Sequence, residues 1–102
     1  MPNAIATEEN LTSLLRFASE SGAPLPEVNP DDLSDLQRYY YVMAIPQDRV
    51  DEFRNDPCWV VRQAVISRNP NSAFQMLDDP SPAIRLQAAN TRLENEKSSL
   101  QD

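Results

Sequence analysis

The sequence predicts an all-α protein, a short helical-repeat solenoid in which longer and shorter helices alternate and an N-terminal helix packs on the stack. A pattern written twice is the first reason, because residues 56–65 are matched 23 positions later by residues 79–88, with Asp-Pro and an aliphatic-Arg pair at the same offset. Proline spacing is the second, with intervals of 16, 11, 13 and 10 residues from Pro30 to Pro80. A unit of about 24 residues cannot bury its own apolar stripe, so neighbouring units must stack.

Composition is compatible with this fold. The 102 residues are enough for one domain, 1–102, with one modest core. The hydrophobic share of 40% and the charged share of 25% are ordinary for a soluble globular protein. Nine prolines against one glycine are not ordinary. Because the prolines lie between apolar-periodic runs, we interpret them as helix boundaries.

The N-terminal segment, residues 7–21, is predicted to be an amphipathic helix. Thr7 is a suitable N-cap, and the only glycine, Gly22, lies where a left-handed C-terminal cap is expected. A Pro-rich connector, residues 22–29, should be extended because each proline restrains the residue before it. One helical face carries the apolar residues Leu11, Leu14, Leu15 and Ala18.

Residues 30–55 form a degenerate repeat. Asn29-Pro30 followed by acidic residues is typical of a helix start, and this helix should end before Pro46. A shorter segment follows, with Val50 and Phe53 facing inward. The face predicted to be buried in the longer helix consists of Leu33, Leu36, Tyr40, Met43 and Ala44.

Residues 56–78 form the best-preserved repeat, and residues 79–95 a partial one. In the first, a longer helix buries Val61, Ala64 and Val65, and Asn69-Pro70 starts a short helix that buries Phe74 and Leu77. The last helix should end near residue 95, and residues 96–102 are predicted to be a polar tail.

These residues support a family resemblance. The succession Asp56-Pro57, Val61-Arg62, Ala64, Asn69-Pro70 and Leu77 is similar to the pattern of the leucine-rich repeat variant family, a relative of HEAT-like repeats. The second copy keeps Asp79-Pro80 and Ile84-Arg85 but has Arg92-Leu93 where Asn-Pro is expected. The resemblance implies a right-handed stack of longer α-helices and short, in part 3₁₀, helices. It implies a binding scaffold and no particular activity.

An enzyme is disfavoured by what the chain lacks. It has no histidine, so the usual general base and the commonest metal ligand are absent. One cysteine cannot form a structural zinc site, and one glycine cannot form a phosphate loop. We therefore predict no catalytic residue, no metal and no cofactor.

Location and membrane association follow from the same inspection. No apolar run approaches the roughly 20 residues that span a bilayer, and the N-terminus lacks the features of a secretory signal. With a single cysteine, Cys58, these features favour a cytoplasmic protein.

Charge asymmetry indicates the kind of partner. Residues 1–55 hold ten acidic and four basic residues, whereas residues 56–102 hold six and five. An acidic first half would attract a basic protein surface and repel a nucleic acid or an anionic membrane. Exposed tyrosine and tryptophan are enriched at such interfaces. The predicted partner-binding residues are Asp31, Asp32, Asp35, Tyr39, Tyr41, Asp48, Asp51, Glu52 and Trp59.

Each of these features has a structural interpretation as well. Acidity also serves solubility, first-turn acids stabilise helix starts, and Trp59 and two of the tyrosines can join successive repeats. The leading hypothesis is a small acidic regulator or inhibitor, similar in kind to an antitoxin, an immunity protein or a phage inhibitor. We expect it to be a monomer or a weak homodimer.

Two alternatives remain. Arg62 and Arg85 occupy equivalent repeat positions, where they can bind the capping aspartate of a neighbour or a phosphate. With Trp59 they would form a nucleic-acid or nucleotide site, although eight of the nine basic residues are arginine and no rich basic patch is present. A structural assembly subunit is the other alternative.

Overall fold

The computed structural model describes residues 8–101 of the chain, with side chains over residues 10–97. This part is all-helical and contains no strand. The predicted cap Thr7 lies outside the described residues. The α-helices are α1 (Glu8–Ser21), α2 (Asp35–Ala44), α3 (Gln47–Val50), α4 (Trp59–Arg68) and α5 (Pro82–Gln101), and the 3₁₀ helices are Pro30–Asp32, Asp51–Phe53 and Pro70–Gln75.

The predicted N-terminal helix and its glycine cap are confirmed. Gly22 has φ +76°, and its amide donates to the carbonyl of Ala18 at 3.0 Å. Leu15 and Ala18 are buried, whereas Leu14 lies on the exposed edge of the predicted stripe. α1 packs along α2, and the Gln37 side chain donates to the hydroxyl of Thr12 at 3.0 Å.

The predicted start of the second long helix was wrong. Asn29 caps only the 3₁₀ helix Pro30–Asp32, and α2 begins at Asp35 behind Ser34, five residues later than predicted. The Ser34 hydroxyl accepts from the amide of Gln37, and the Gln37 side chain accepts from the amide of Ser34, which is a capping box. This reciprocal pair satisfies two helix-start donors, whereas the Asn29 side chain satisfies one.

The buried face of α2 also differs from the predicted one. Leu36 and Tyr40 were predicted to be inside, but Leu36 is exposed and Tyr40 is only half-buried. The face that packs inward instead carries Gln37, Tyr41 and Val42, followed by Ile45 directly after the helix.

The following elements agree with the pattern except at Phe74 and at Leu77, which is only half-buried. Val50 and Phe53 are buried, as predicted, and so are Val61, Ala64 and Val65 of α4. Phe74 was predicted to be buried but is exposed. The segment Pro70–Gln75 is a 3₁₀ helix, whose period of three residues directs Ala73 and Met76 inward instead.

α5 is longer than predicted. It continues to Gln101, whereas the sequence interpretation ended it near residue 95. No glycine or proline follows Pro82, and glutamate, lysine, leucine and glutamine all favour a helix, so nothing local ends it earlier. Within residues 8–101, no helix is both long and apolar enough to cross a membrane.

Candidate functional site

Two arginine–aspartate contacts of the same geometry join successive units of the chain. Arg38 donates from Nε and Nη2 to the two carboxylate oxygens of Asp56 at 2.8 and 3.0 Å. Arg62 makes the same pair of bonds with Asp79 at 2.8 and 2.9 Å. The Arg62 and Asp79 side chains are only 11% and 5% exposed. These are bidentate contacts in a largely dry setting, where a guanidinium fork matches a carboxylate best.

Backbone bonds complete both contacts. The third guanidinium nitrogen, Nη1, donates to a carbonyl five or six residues earlier, that of Leu33 for Arg38 and that of Asp56 for Arg62. The two carboxylates each accept the amide two residues later, that of Cys58 at 2.9 Å and that of Ser81 at 2.9 Å. Each aspartate therefore orders the turn before a helix while it binds the preceding unit.

Arg38 has a further acidic neighbour. Its Nη2 donates to Asp35 at 2.5 Å. The bond to Asp56 is the main cause that raises the pKa of Arg38; burial opposes it and Asp35 adds to it. The two carboxylates therefore favour the charged form of Arg38.

Arg38 also lies in a shallow hollow that brings two of the predicted contact acids together. The hollow has a volume of about 380 Å³ and is lined by Asp31, Arg38, Glu52, Phe53, Asn55, Asp56 and Pro57. Asp31 and Glu52 are exposed on it, and Asp35 adjoins it through Arg38. Three acids from separate elements thus line or adjoin one hollow.

The other predicted acids fall into two groups. Asp32 and Asp48 are exposed and form no ion pair with another described residue. Asp51 has a structural role instead. It binds Arg54 at 3.0 Å and accepts the buried Ser72 hydroxyl at 2.7 Å, which connects Asp51–Phe53 to Pro70–Gln75.

The aromatic predictions need one correction. Tyr41 was predicted to be a contact residue, but it is 6% exposed and packs edge to face on Phe53, with ring centroids 5.8 Å apart. It is buried because α2 packs on α1 and α4 and Tyr41 lies on its core-facing side. Tyr39 and Tyr40 are half-buried and contact each other, and Trp59 is 46% exposed at the start of α4.

A second hollow of about 510 Å³ lies between α4 and α5. Amide side chains such as Gln63, Gln87 and Asn90 line it, and it contains none of the predicted contact residues. Neither Arg38 nor Gln37 was among the predicted site residues; in the structure Arg38 stands four residues after its helix cap, as Arg62 does.

Comparison of the chain with protein-family models, with curated proteins and with solved structures finds no match.

Proposed function

We propose that the chain is a short right-handed helical-repeat solenoid, similar to leucine-rich repeat variant proteins, and that it is a non-enzymatic protein-binding module. The recurrence of one arginine–aspartate contact between successive units supports the repeat architecture. The module is a small acidic regulator or inhibitor, and its partner presents a basic surface.

The observation that carries this proposal is the acidic rim around the Arg38 hollow. Asp31 and Glu52 lie on it, and Asp32 is next in sequence to Asp31. Glu52 is 3.6 Å from Nε of the exposed Arg49, whereas both aspartates are exposed with no ion pair to another described side chain. Exposed acids without internal counter-charges attract a basic partner at long range. Half-buried Tyr39 and exposed Trp59 would add apolar contact area.

The alternative nucleic-acid site has less support. Arg62, its central residue, is 11% exposed and its three guanidinium nitrogens all bind Asp79 or the carbonyl of Asp56. A phosphate would have to displace a buried carboxylate from it, which is unfavourable.

The test compares two triple variants of equal net charge. One removes three exposed aspartates that form no ion pair with another described residue, as Asp31→Asn/Asp32→Asn/Asp48→Asn. The other removes three exposed acids elsewhere, as Glu20→Gln/Asp78→Asn/Glu94→Gln. Each tagged chain is used for capture from extracts of the native host, followed by mass spectrometry and by association kinetics with the purified partner.

We expect the wild type and the Glu20/Asp78/Glu94 variant to capture the same protein, and the Asp31/Asp32/Asp48 variant to lose it. The association rate constant should fall about tenfold or more between low and physiological salt, because screening removes the attraction. Recovery of nucleic acid without a protein, or a rate that does not respond to salt, would contradict the proposal.

A further inference from the structure

Arg38, Arg62 and Arg85 form a series of three equivalent arginines. Arg85 does not bind a carboxylate of the described residues, whereas the other two do. Its Nη1 donates to the carbonyls of Asp79 and Pro80 at 2.7 and 3.1 Å, as Nη1 of Arg62 does to Asp56. Its Nε and Nη2 donate to no residue in the described part of the chain. The guanidinium is therefore anchored as in Arg38 and Arg62, with its carboxylate-binding edge open.

The apolar surface beside Arg85 is open in the same way. Four residues after each arginine of the series is an apolar residue, and the first two, Val42 and Ile66, are 0% and 1% exposed. The third, Ala89, is half-buried. On the same face of α5, Leu86 and Leu93 are 64% and 55% exposed and lie two helical turns apart.

Together these positions form what we call the α5 end face, composed of Arg85, Leu86, Ala89 and Leu93. The equivalent arginines of α2 and α4, Arg38 and Arg62, are covered by the next unit of the chain. The aspartate of that unit stands three residues before the first residue of its helix. α5 instead runs on to Gln101, and no such unit follows it within residues 8–101.

We propose that the α5 end face binds a partner protein through an acidic helix start, in which an aspartate three residues before the first helical residue occupies the open edge of Arg85. We infer this kind of partner from the two contacts within the chain. In both, an aspartate three residues before a helix binds Nε and Nη2 of the arginine. This surface is separate from the acidic rim around Arg38, and it has the opposite charge preference.

A peptide of residues 69–92 is the probe, because this segment covers α4 in the chain and contains Asp79. Its matched control carries Asp79→Asn. Each is titrated into the ¹⁵N-labelled full chain, with the Nε–H resonance of Arg85 as the reporter. The same titrations use the Arg85→Gln chain and, as a control, the Arg92→Gln chain, in which an exposed arginine paired with Glu96 is lost.

We expect the wild-type peptide to shift the Arg85 Nε–H resonance and to bind about tenfold more tightly than the Asp79→Asn peptide, the value of a charge-assisted hydrogen bond. In the Arg85→Gln chain the two peptides should bind equally, and in the Arg92→Gln chain the difference should remain. Equal affinity of both peptides for the wild-type chain, or a difference that persists in Arg85→Gln, would overturn the proposal.

A tethered version removes the cost of ordering a free peptide. Residues 92–102 are replaced by a second copy of residues 69–102, which places an aspartate 17 residues after Arg85, the interval that separates Arg62 from Asp79. Arg85→Gln should lower the folding equilibrium constant about tenfold or more in this extended chain. In the natural chain it should change the constant by about twofold or less.

If the peptide does not bind, the extended chain still tests the proposal. An absent titration together with an equal effect of Arg85→Gln in both chains would overturn the proposal. Sedimentation of the natural chain tests a second copy as the occupant. Asp32 stands three residues before α2, as Asp56 and Asp79 stand before α4 and α5, and it forms no ion pair with another described residue. A second copy could therefore bind Arg85 through Asp32. Self-association that both Arg85→Gln and Asp32→Asn abolish would overturn the assignment to a different protein.

Discussion

Arg62 and Asp79 stand 17 residues apart in the chain and form two parallel hydrogen bonds of 2.8 and 2.9 Å. The same atoms of Arg38 and Asp56 form the same two bonds over 18 residues. One contact type thus joins the unit around α2 to that around α4, and the unit around α4 to α5. The arginine orders the junction, and the aspartate orders the next helix start, so each pair couples local structure to packing.

Removing one partner of such a pair should be costly. Arg62→Gln leaves the 5% exposed Asp79 carboxylate without its counter-charge, and we expect it to lower the free energy of unfolding by about 3 kcal/mol. Urea denaturation of Arg62→Gln, Asp79→Asn and the double variant measures the coupling between them. Arg92→Gln, which removes an exposed pair with Glu96 and a contact of the guanidinium with the Phe74 ring at 5.6 Å, should change the stability by about 1 kcal/mol or less. A similar loss in both single-arginine variants would show that the Arg62 contact has no special role.

The capping box of α2 provides a second prediction. Ser34→Ala removes the hydroxyl that accepts from the amide of Gln37, and should lower stability by about 1 kcal/mol. Ser13→Ala is the control, since Ser13 is exposed within α1 and alanine favours a helix. The measurement is urea denaturation followed by circular dichroism. If α2 starts at Pro30 in solution, Ser34→Ala should be neutral or stabilising.

The outcome at α2 shows how far the sequence determines this fold. Proline spacing located most of the elements, because a proline excludes helical backbone before it wherever it stands. It did not distinguish Asn29 from Ser34 as the cap of α2, since both residue types are good N-caps. Ser34 differs in that the Gln37 side chain completes a capping box with it. Nor did proline spacing identify the buried face of α2, so Tyr41 was assigned to the candidate surface although it lies in the core. Side-chain partners across units, such as Asp51 with Ser72, depend on packing that no local pattern specifies.

Gly22 allows a test of backbone strain without a steric contribution. Its φ is +76°, and a Cβ built on it meets no atom within 4 Å, so an L side chain is disfavoured by conformation alone. Gly22→Ala should lower stability by about 1 kcal/mol. D-alanine at this position, introduced by chemical ligation, should be at least as stable as glycine because it favours positive φ. Thermal unfolding compares the three proteins, and equal destabilisation by both alanine forms would contradict this explanation.

Arg68 connects two helices through the backbone and should be more important than its partial exposure suggests. Its Nη1 donates to the carbonyls of Val42 and Ile45 at 2.9 and 2.5 Å, at the C-terminal end of α2, where carbonyls lack partners within the helix. Arg68→Ala removes both bonds and should lower the free energy of unfolding by about 2 kcal/mol. Arg68→Lys keeps the charge near the helix end but loses the planar fork, so an intermediate loss of about 1 kcal/mol is expected.

Arg16→Ala, which removes an exposed arginine paired only with Glu20, is the control and should be close to neutral. Urea denaturation gives the stabilities, and amide hydrogen exchange at Ile45, whose amide donates to the carbonyl of Tyr41, reports on the end of α2. Faster exchange there in Arg68→Ala, but not in Arg16→Ala, is the expected result; unchanged exchange with unchanged stability would show that the two carbonyls do not depend on Arg68.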